Sequence, residues 1–203
     1  SGRCIQELDY ANRDENGNIP KFSDKGINEF KTEKGRTVYD GGGILPDVIS
    51  NSIAKTKTTE VLLNSKAIFN YATDFYHKNP EVSLVSDFVY SDSDFKDFIS
   101  FLKKDTSFVT KQERLFAKAY KISKNSNLDR EYQKIEEKLF EEKIAAISKN
   151  KKRIKEAIKL AILERYYYQE GVYKHNLKND FEIKKAVDLL SNKKEYNKIL
   201  SVK

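Results

Sequence analysis

The chain has 203 residues, 34% of them charged, and a formal net charge of +7. That length bounds it to one domain, or one domain with an appendage, and is enough to bury a core. Cys4 is the single cysteine, which excludes an internal disulfide, and no run approaches the roughly 18 apolar residues of a membrane span.

Seven of the eight glycines and two of the three prolines lie in residues 1–50. Strands and turns therefore come first and helices follow, an α+β class that is mainly α. Residues 3–10 alternate Cys4, Gln6, Leu8 and Tyr10 against Arg3, Ile5, Glu7 and Asp9, the period of a strand. In that strand Cys4 is expected to be a small buried hydrophobe. Residues 12–26 are turn-rich, with Asn16-Gly17 as the strongest signal and Pro20 and Gly26 as further breaks. Residues 29–32 and 36–39 read as two short strands, and Gly35 between them suits a tight hairpin. After Gly41, Gly42 and Gly43, residues 47–50 can form another short strand.

Six to seven helices are expected beyond this point. The first opens near Asn64 or Ser65 and stops at Asn79-Pro80. Ser91 with Asp94, and Thr110 with Glu113, mark two further helix starts. The longest periodic run begins near Leu128. Residues 148–150 should break it into two antiparallel helices, the second ending at Gly171. Asn179 with Glu182 caps the next helix, and Ser191 starts a last short one ending near Leu200.

Few residues invite chemistry. His77 and His175 stand in separate segments without ligand-spaced partners and are expected on helix surfaces, so no metal site is expected. The glycine triplet is followed by Ile44-Leu45-Pro46-Asp47 rather than by a helix start, so it predicts a turn and not a phosphate cradle. Glu136, Glu137, Glu141 and Glu142 lie among lysines as solvated helix residues do. In Arg165-Tyr166-Tyr167-Tyr168, adjacent rings on a helix diverge by about 100°. One or two should pack against neighbouring helices while another covers the rim.

S-G-R-C-I-Q at 1–6, followed by G-R-T-V-Y-D-G-G-G-I-L-P-D-V at 35–48, resembles the carboxy-terminal processing, or tail-specific, serine peptidases of bacterial envelopes. R-Y-Y-Y-Q-x-G at 165–171 resembles a helical extension found in one bacterial branch of that family. The resemblance implies that residues 1–50 are the end of a protease core and residues 51–203 a helical C-terminal domain. It implies that the serine nucleophile, its lysine base and the PDZ domain lie upstream of residue 1, so no catalytic, cofactor-binding or metal-binding residue is assigned and no cofactor is expected. It marks Gly2, Arg3, Ile5, Gln6, Gly41, Gly42, Gly43, Ile44, Pro46 and Asp47 as structural motif positions. The partners it implies are the protease core, the protein substrates of the parent enzyme and, through the helices or exposed strand edges, a second copy of the chain. The implied location is the periplasm or cell envelope.

Taken alone, the piece is expected to be inactive and to serve as a structural, dimerisation, or substrate- or adaptor-contacting module. The competing reading is a free-standing basic helical module that binds nucleic acid or acts as a scaffold. It is disfavoured because the lysines are spread along every helix.

Overall fold

A computed structural model describes residues 2–21, 28–50, 55–123 and 128–201. The protein is 62% helical, with a two-stranded hairpin near its start. By proximity of the backbone it divides into two units, one made of Ser1–Ser52 and Phe181–Lys203, the other of Ile53–Asp180.

In the first unit, β1 (Glu29–Lys31) and β2 (Thr37–Tyr39) pair antiparallel with Phe30 opposite Val38. Gly35 takes φ 78° and donates its N–H to Thr32 O at 2.8 Å, closing the turn as its sequence position predicts. Residues 3–10 differ from expectation. They form no strand. A strand exists through its ladder partner, and here only Leu8 meets one, in a single bridge with Lys21. Cys4 is accordingly exposed. Residues 47–50 are not a strand either. Asn16-Gly17 does turn, with Gly17 at φ 82°. The Asp14 carboxylate accepts from the Asn18 N–H at 2.7 Å and the Asn18 side chain at 2.8 Å. Those hydrogen bonds from Asn18 hold Asp14 below the usual carboxylate range. Gly26 lies outside the described residues.

The first unit also holds a short 3-10 turn, Tyr10–Asn12, and the last two helices of the chain, α7 (Phe181–Ser191) and α8 (Lys193–Leu200). Asn192 rather than Ser191 caps α8, accepting from Glu195 N at 3.2 Å. Ser50 Oγ donates to Glu182 Oε1 at 2.6 Å, and Lys185 Nζ donates to Ile49 O at 3.2 Å. Among its described residues the first unit buries no hydrophobic side chain.

The second unit holds the core. Its helices are α1 (Lys57–Asn64), α2 (Ala67–Lys78), α3 (Asp92–Leu102), α4 (Lys111–Ser123), α5 (Asp129–Ser148) and α6 (Lys151–Asn179). Sequence periodicity missed α1, which is too short to show more than two turns; Thr56 caps it, accepting from Thr59 N at 3.1 Å. The Ser91–Asp94 capping box forms in full, as does the Thr110–Glu113 pair. The break near residue 150 also forms. Asn150, 7% exposed, turns the chain between α5 and α6, and its Oδ1 accepts from Thr56 N at 3.1 Å and Thr59 Oγ1 at 2.9 Å.

Ile154, Ile158 and Ile162 recur every four residues along α6 and are fully buried against α2, which contributes Ala67, Ile68, Tyr71 and Ala72. Burial of each such isoleucine is worth about 1.5–3 kcal/mol. Tyr71 sits edge-on to Phe98 at 5.1 Å and to Phe101 at 5.4 Å, joining α2 to α3. The α6 helix does not end at Gly171. It breaks at Tyr168, which adopts φ 54°, ψ −159°, and continues to Asn179. That conformation is one an L residue takes only when its surroundings impose it.

Candidate functional site

Two clusters gather the motif residues, one in each unit. In the first unit the two N-terminal motifs meet. Arg3 Nη1 donates to Tyr39 O at 3.1 Å, at the end of β2. Gly41 is buried at φ 76°. Gly43, at φ 73°, lies against the preceding motif, for a Cβ there would sit 3.5 Å from Glu7 Cβ and 3.9 Å from Ile5 O. Asp47 forms an ion pair with Arg36, which precedes β2. Arg3, Ile5, Gly43 and Asp47 are thus held around one hairpin. Gly2 and Gly42 face open space, while Gln6, Ile44 and Pro46 are exposed and make no part of the cluster. The cluster fixes backbone geometry: its polar contacts are an arginine on a carbonyl and an arginine on a carboxylate.

In the second unit, Arg165, Tyr166 and Tyr167 clasp α6 to α2 and to the loop after it. Arg165 Nη2 donates to Phe69 O at 2.6 Å and to Thr73 Oγ1 at 2.7 Å, and Nη1 donates to Ala161 O at 2.6 Å. Burial lowers the Arg165 pKa, partly opposed by the Glu164 charge. The Tyr166 hydroxyl donates to Asn79 O, and that of Tyr167 reaches Val82 O at 3.3 Å and Ser83 O at 3.2 Å. Burial raises the Tyr166 pKa. Tyr168 is 77% exposed, so two rings pack and one covers the rim, as expected. The kink at Tyr168 brings Gly171 against Tyr167, where an added Cβ would overlap Tyr167 Cβ. The R-Y-Y-Y-Q-x-G motif is therefore an anchor, a kink and a point of close approach.

Beneath this clasp, Tyr71 and Tyr90 both donate to Asp94 O, at 3.0 and 2.9 Å. Burial pushes the Tyr71 hydroxyl up to about 12 and that of Tyr90 up as well.

Two buried ionisable residues escaped the sequence reading. His175 is not a surface histidine but 4% exposed. The kink turns it inward, where Nε2 lies 2.5 Å from Glu156 Oε1 and Nδ1 accepts from Asn179 Nδ2 at 3.3 Å. His77 is exposed, as expected. Lys143 is 6% exposed, with Nζ 2.5 Å from Glu113 Oε1, 3.1 Å from Phe108 O and 4.8 Å from the centre of the Phe108 ring. Its signal was legible, since Phe140, Lys143 and Ile147 fall on one helix face and a lone lysine on an apolar stripe is a candidate for a paired buried charge. Glu136, Glu137, Glu141 and Glu142 are exposed, as expected.

None of these arrangements joins a nucleophile to a base. No group of three or more His, Cys, Asp or Glu side chains that could hold a metal ion occurs among the described residues. Among the described residues no helix is long and apolar enough to cross a membrane.

Neither a curated protein nor a solved structure matches the chain. Residues 58–190 match the family described as probable PDZ-protease, C-terminal helical domain, and that match runs through all six helices of the second unit and most of α7. It includes the arginine–tyrosine clasp, the kink and the buried Lys143 and His175. The chain belongs to the family of C-terminal helical domains of probable PDZ-proteases.

Proposed function

We propose that this chain is the C-terminal portion of a tail-specific serine endopeptidase, acting in the periplasm or cell envelope on proteins from their C-terminal ends. In this reading residues 1–50 are the end of the protease core and residues 51–203 the helical domain. The chain steadies the core and contacts substrate, an adaptor or a second copy. The observation that carries the reading is the meeting of the two N-terminal motifs, Arg3 on Tyr39 O and Gly43 on Ile5 and Glu7, in a chain whose helices belong to a protease family.

The first unit supports core association by what it leaves uncovered. Ile5, Ile44, Leu45 and Ile49 are each more than 60% exposed, an apolar surface that burial against a core would stabilise. The test is complementation. The chain alone should take no label from a serine-reactive probe and should not cleave an unstructured protein. Mixed with the parent enzyme's upstream segment, it should restore cleavage, with the label on that segment. Cleavage by the upstream segment at full rate without this chain would overturn the reading, as would a stoichiometric adduct on any serine of this chain.

A further inference from the structure

Two adjoining hollows run along α6. One, of about 540 Å³, lies between the start of α6 and residues 89–92; the other, of about 580 Å³, lies between residues 84–86 and the part of α6 beyond the kink. Lys159 lines both, and Glu156 of the first is bound to His175 of the second. Together they present six lysines against two carboxylates, Asp92 and Glu156.

Both carboxylates are already engaged. Asp92 lies 2.9 Å from Lys151 Nζ and 2.7 Å from Lys155 Nζ, and those two hydrogen bonds draw its pKa down to about 2. Outside the hollows, Glu170 takes Lys174 at 2.7 Å. Among the described residues, Lys152, Lys159 and Lys178 have no carboxylate partner. The walls beside them expose Leu84, Val89 and Leu177, at 67%, 74% and 66%.

We propose that this groove is a binding site for an extended acidic peptide carrying aliphatic side chains between its carboxylates. Charge complementarity selects the sign of the partner. The walls select against nucleic acid: no arginine lines either hollow, and their two tyrosines, Tyr90 and Tyr167, are packed on the core rather than open, whereas base and strand recognition draws on arginine forks and open aromatic faces. Spacing sets the register. Seven residues of helix separate Lys152 from Lys159, about 10 Å, which about three residues of extended chain span. A carboxylate at every third position, with an aliphatic residue between, fits that repeat. This site is independent of the protease reading, because binding is measured on the chain alone.

The probe is a short fluorescein-labelled peptide repeating Glu-Leu-Gln, followed by anisotropy. It should bind, weaken with salt, and bind at least about tenfold tighter than the matching Gln-Leu-Gln peptide. The combined substitution Lys152→Glu, Lys159→Glu and Lys178→Glu should weaken it at least about tenfold. The charge-matched combination Lys121→Glu, Lys134→Glu and Lys138→Glu, on α4 and α5, should leave affinity within about twofold. Circular dichroism on each variant confirms that the helices are retained. Leu84→Ser with Leu177→Ser gives a second variant that changes no charge and should also weaken binding. Equal loss in both lysine combinations, no preference over the neutral peptide, or tighter binding of an oligothymidine strand than of the peptide would overturn the proposal.

Discussion

Arg165 holds Phe69 twice: its Nη2 donates to the Phe69 carbonyl at 2.6 Å, and its guanidinium lies 4.6 Å from the centre of the Phe69 ring. The same fork reaches Thr73 and Ala161, so one side chain ties α6 to α2 along the face that carries the core. Arg165→Met should cost about 2–3 kcal/mol, the loss of charge-assisted hydrogen bonds to groups left partly buried. Arg165→Lys should recover less than half of that, because an ammonium cannot reproduce the planar fork. Urea denaturation checks both, with the midpoint falling and the slope unchanged.

Gly171→Ala should destabilise the helical unit by about 1–3 kcal/mol, the cost of overpacking where backbone-borne atoms collide. The collision is with Tyr167 Cβ, which every residue except glycine carries. Adding Tyr167→Ala should therefore give no rescue, and Tyr167→Gly should relieve the collision while losing the ring's own packing. Thermal midpoints of the three variants discriminate these outcomes.

Lys143→Ala should cost about 3 kcal/mol or more, because it leaves Glu113 charged and half-enclosed without its partner. Lys143→Met together with Glu113→Gln should recover most of that loss, since the glutamine oxygen can still accept from Thr110 N at the start of α4. A double-mutant cycle on denaturation free energies measures the coupling.

Asp105 gives the helical unit a pH dependence. Burial raises its pKa, but hydrogen bonds from Ser107, Asn70 and the Ser107 and Phe108 N–H groups outweigh that and leave it below the usual value of 3.8. A carboxyl lowered on folding adds stability that is present above its unfolded pKa and is lost as pH falls through its folded one. The stability gap between the wild type and Asp105→Asn should thus be constant from neutral pH down to about 4 and shrink below it. Denaturation midpoints across that range check it, and a gap that widens on acidification would contradict the assignment.

Most local signals, in which a backbone group and its partner lie a few residues apart, were legible in this sequence. Ser91 with Asp94, Thr110 with Glu113, Gly35 in the hairpin and the break near Asn150 all formed where expected. Two local readings failed by position, since Asn179 is the last residue of α6 and does not cap α7, and Asn192 takes the place of Ser191 as the cap of α8; the other failures depended on distant partners. The alternation over residues 3–10 is a strand's, but backbone groups there find no ladder beyond Leu8 and Lys21. The passage of α6 through Gly171 was hidden because glycine near a helix end normally terminates it, and here its missing Cβ instead lets the chain pass Tyr167. His175 looked solvated because its burial follows from the kink about two helical turns earlier, at Tyr168, which no periodicity reveals. Of the candidate site, the arginine and the packing tyrosines were visible as a motif; the lysine groove was not, since interleaved charges read as solvent-facing until the fold shows which carboxylates are engaged.

The first unit draws on both ends of the chain, and Ser50 and Ile49 are fastened to Glu182 and Lys185. Residues 49–50 and 182–185 are therefore held side by side within that unit. Tension between the two termini would be borne by that fastening before any reached α1 to α6, so mechanical unfolding should begin in the first unit, leaving the isoleucine ladder of α6 untouched until the fastening parts.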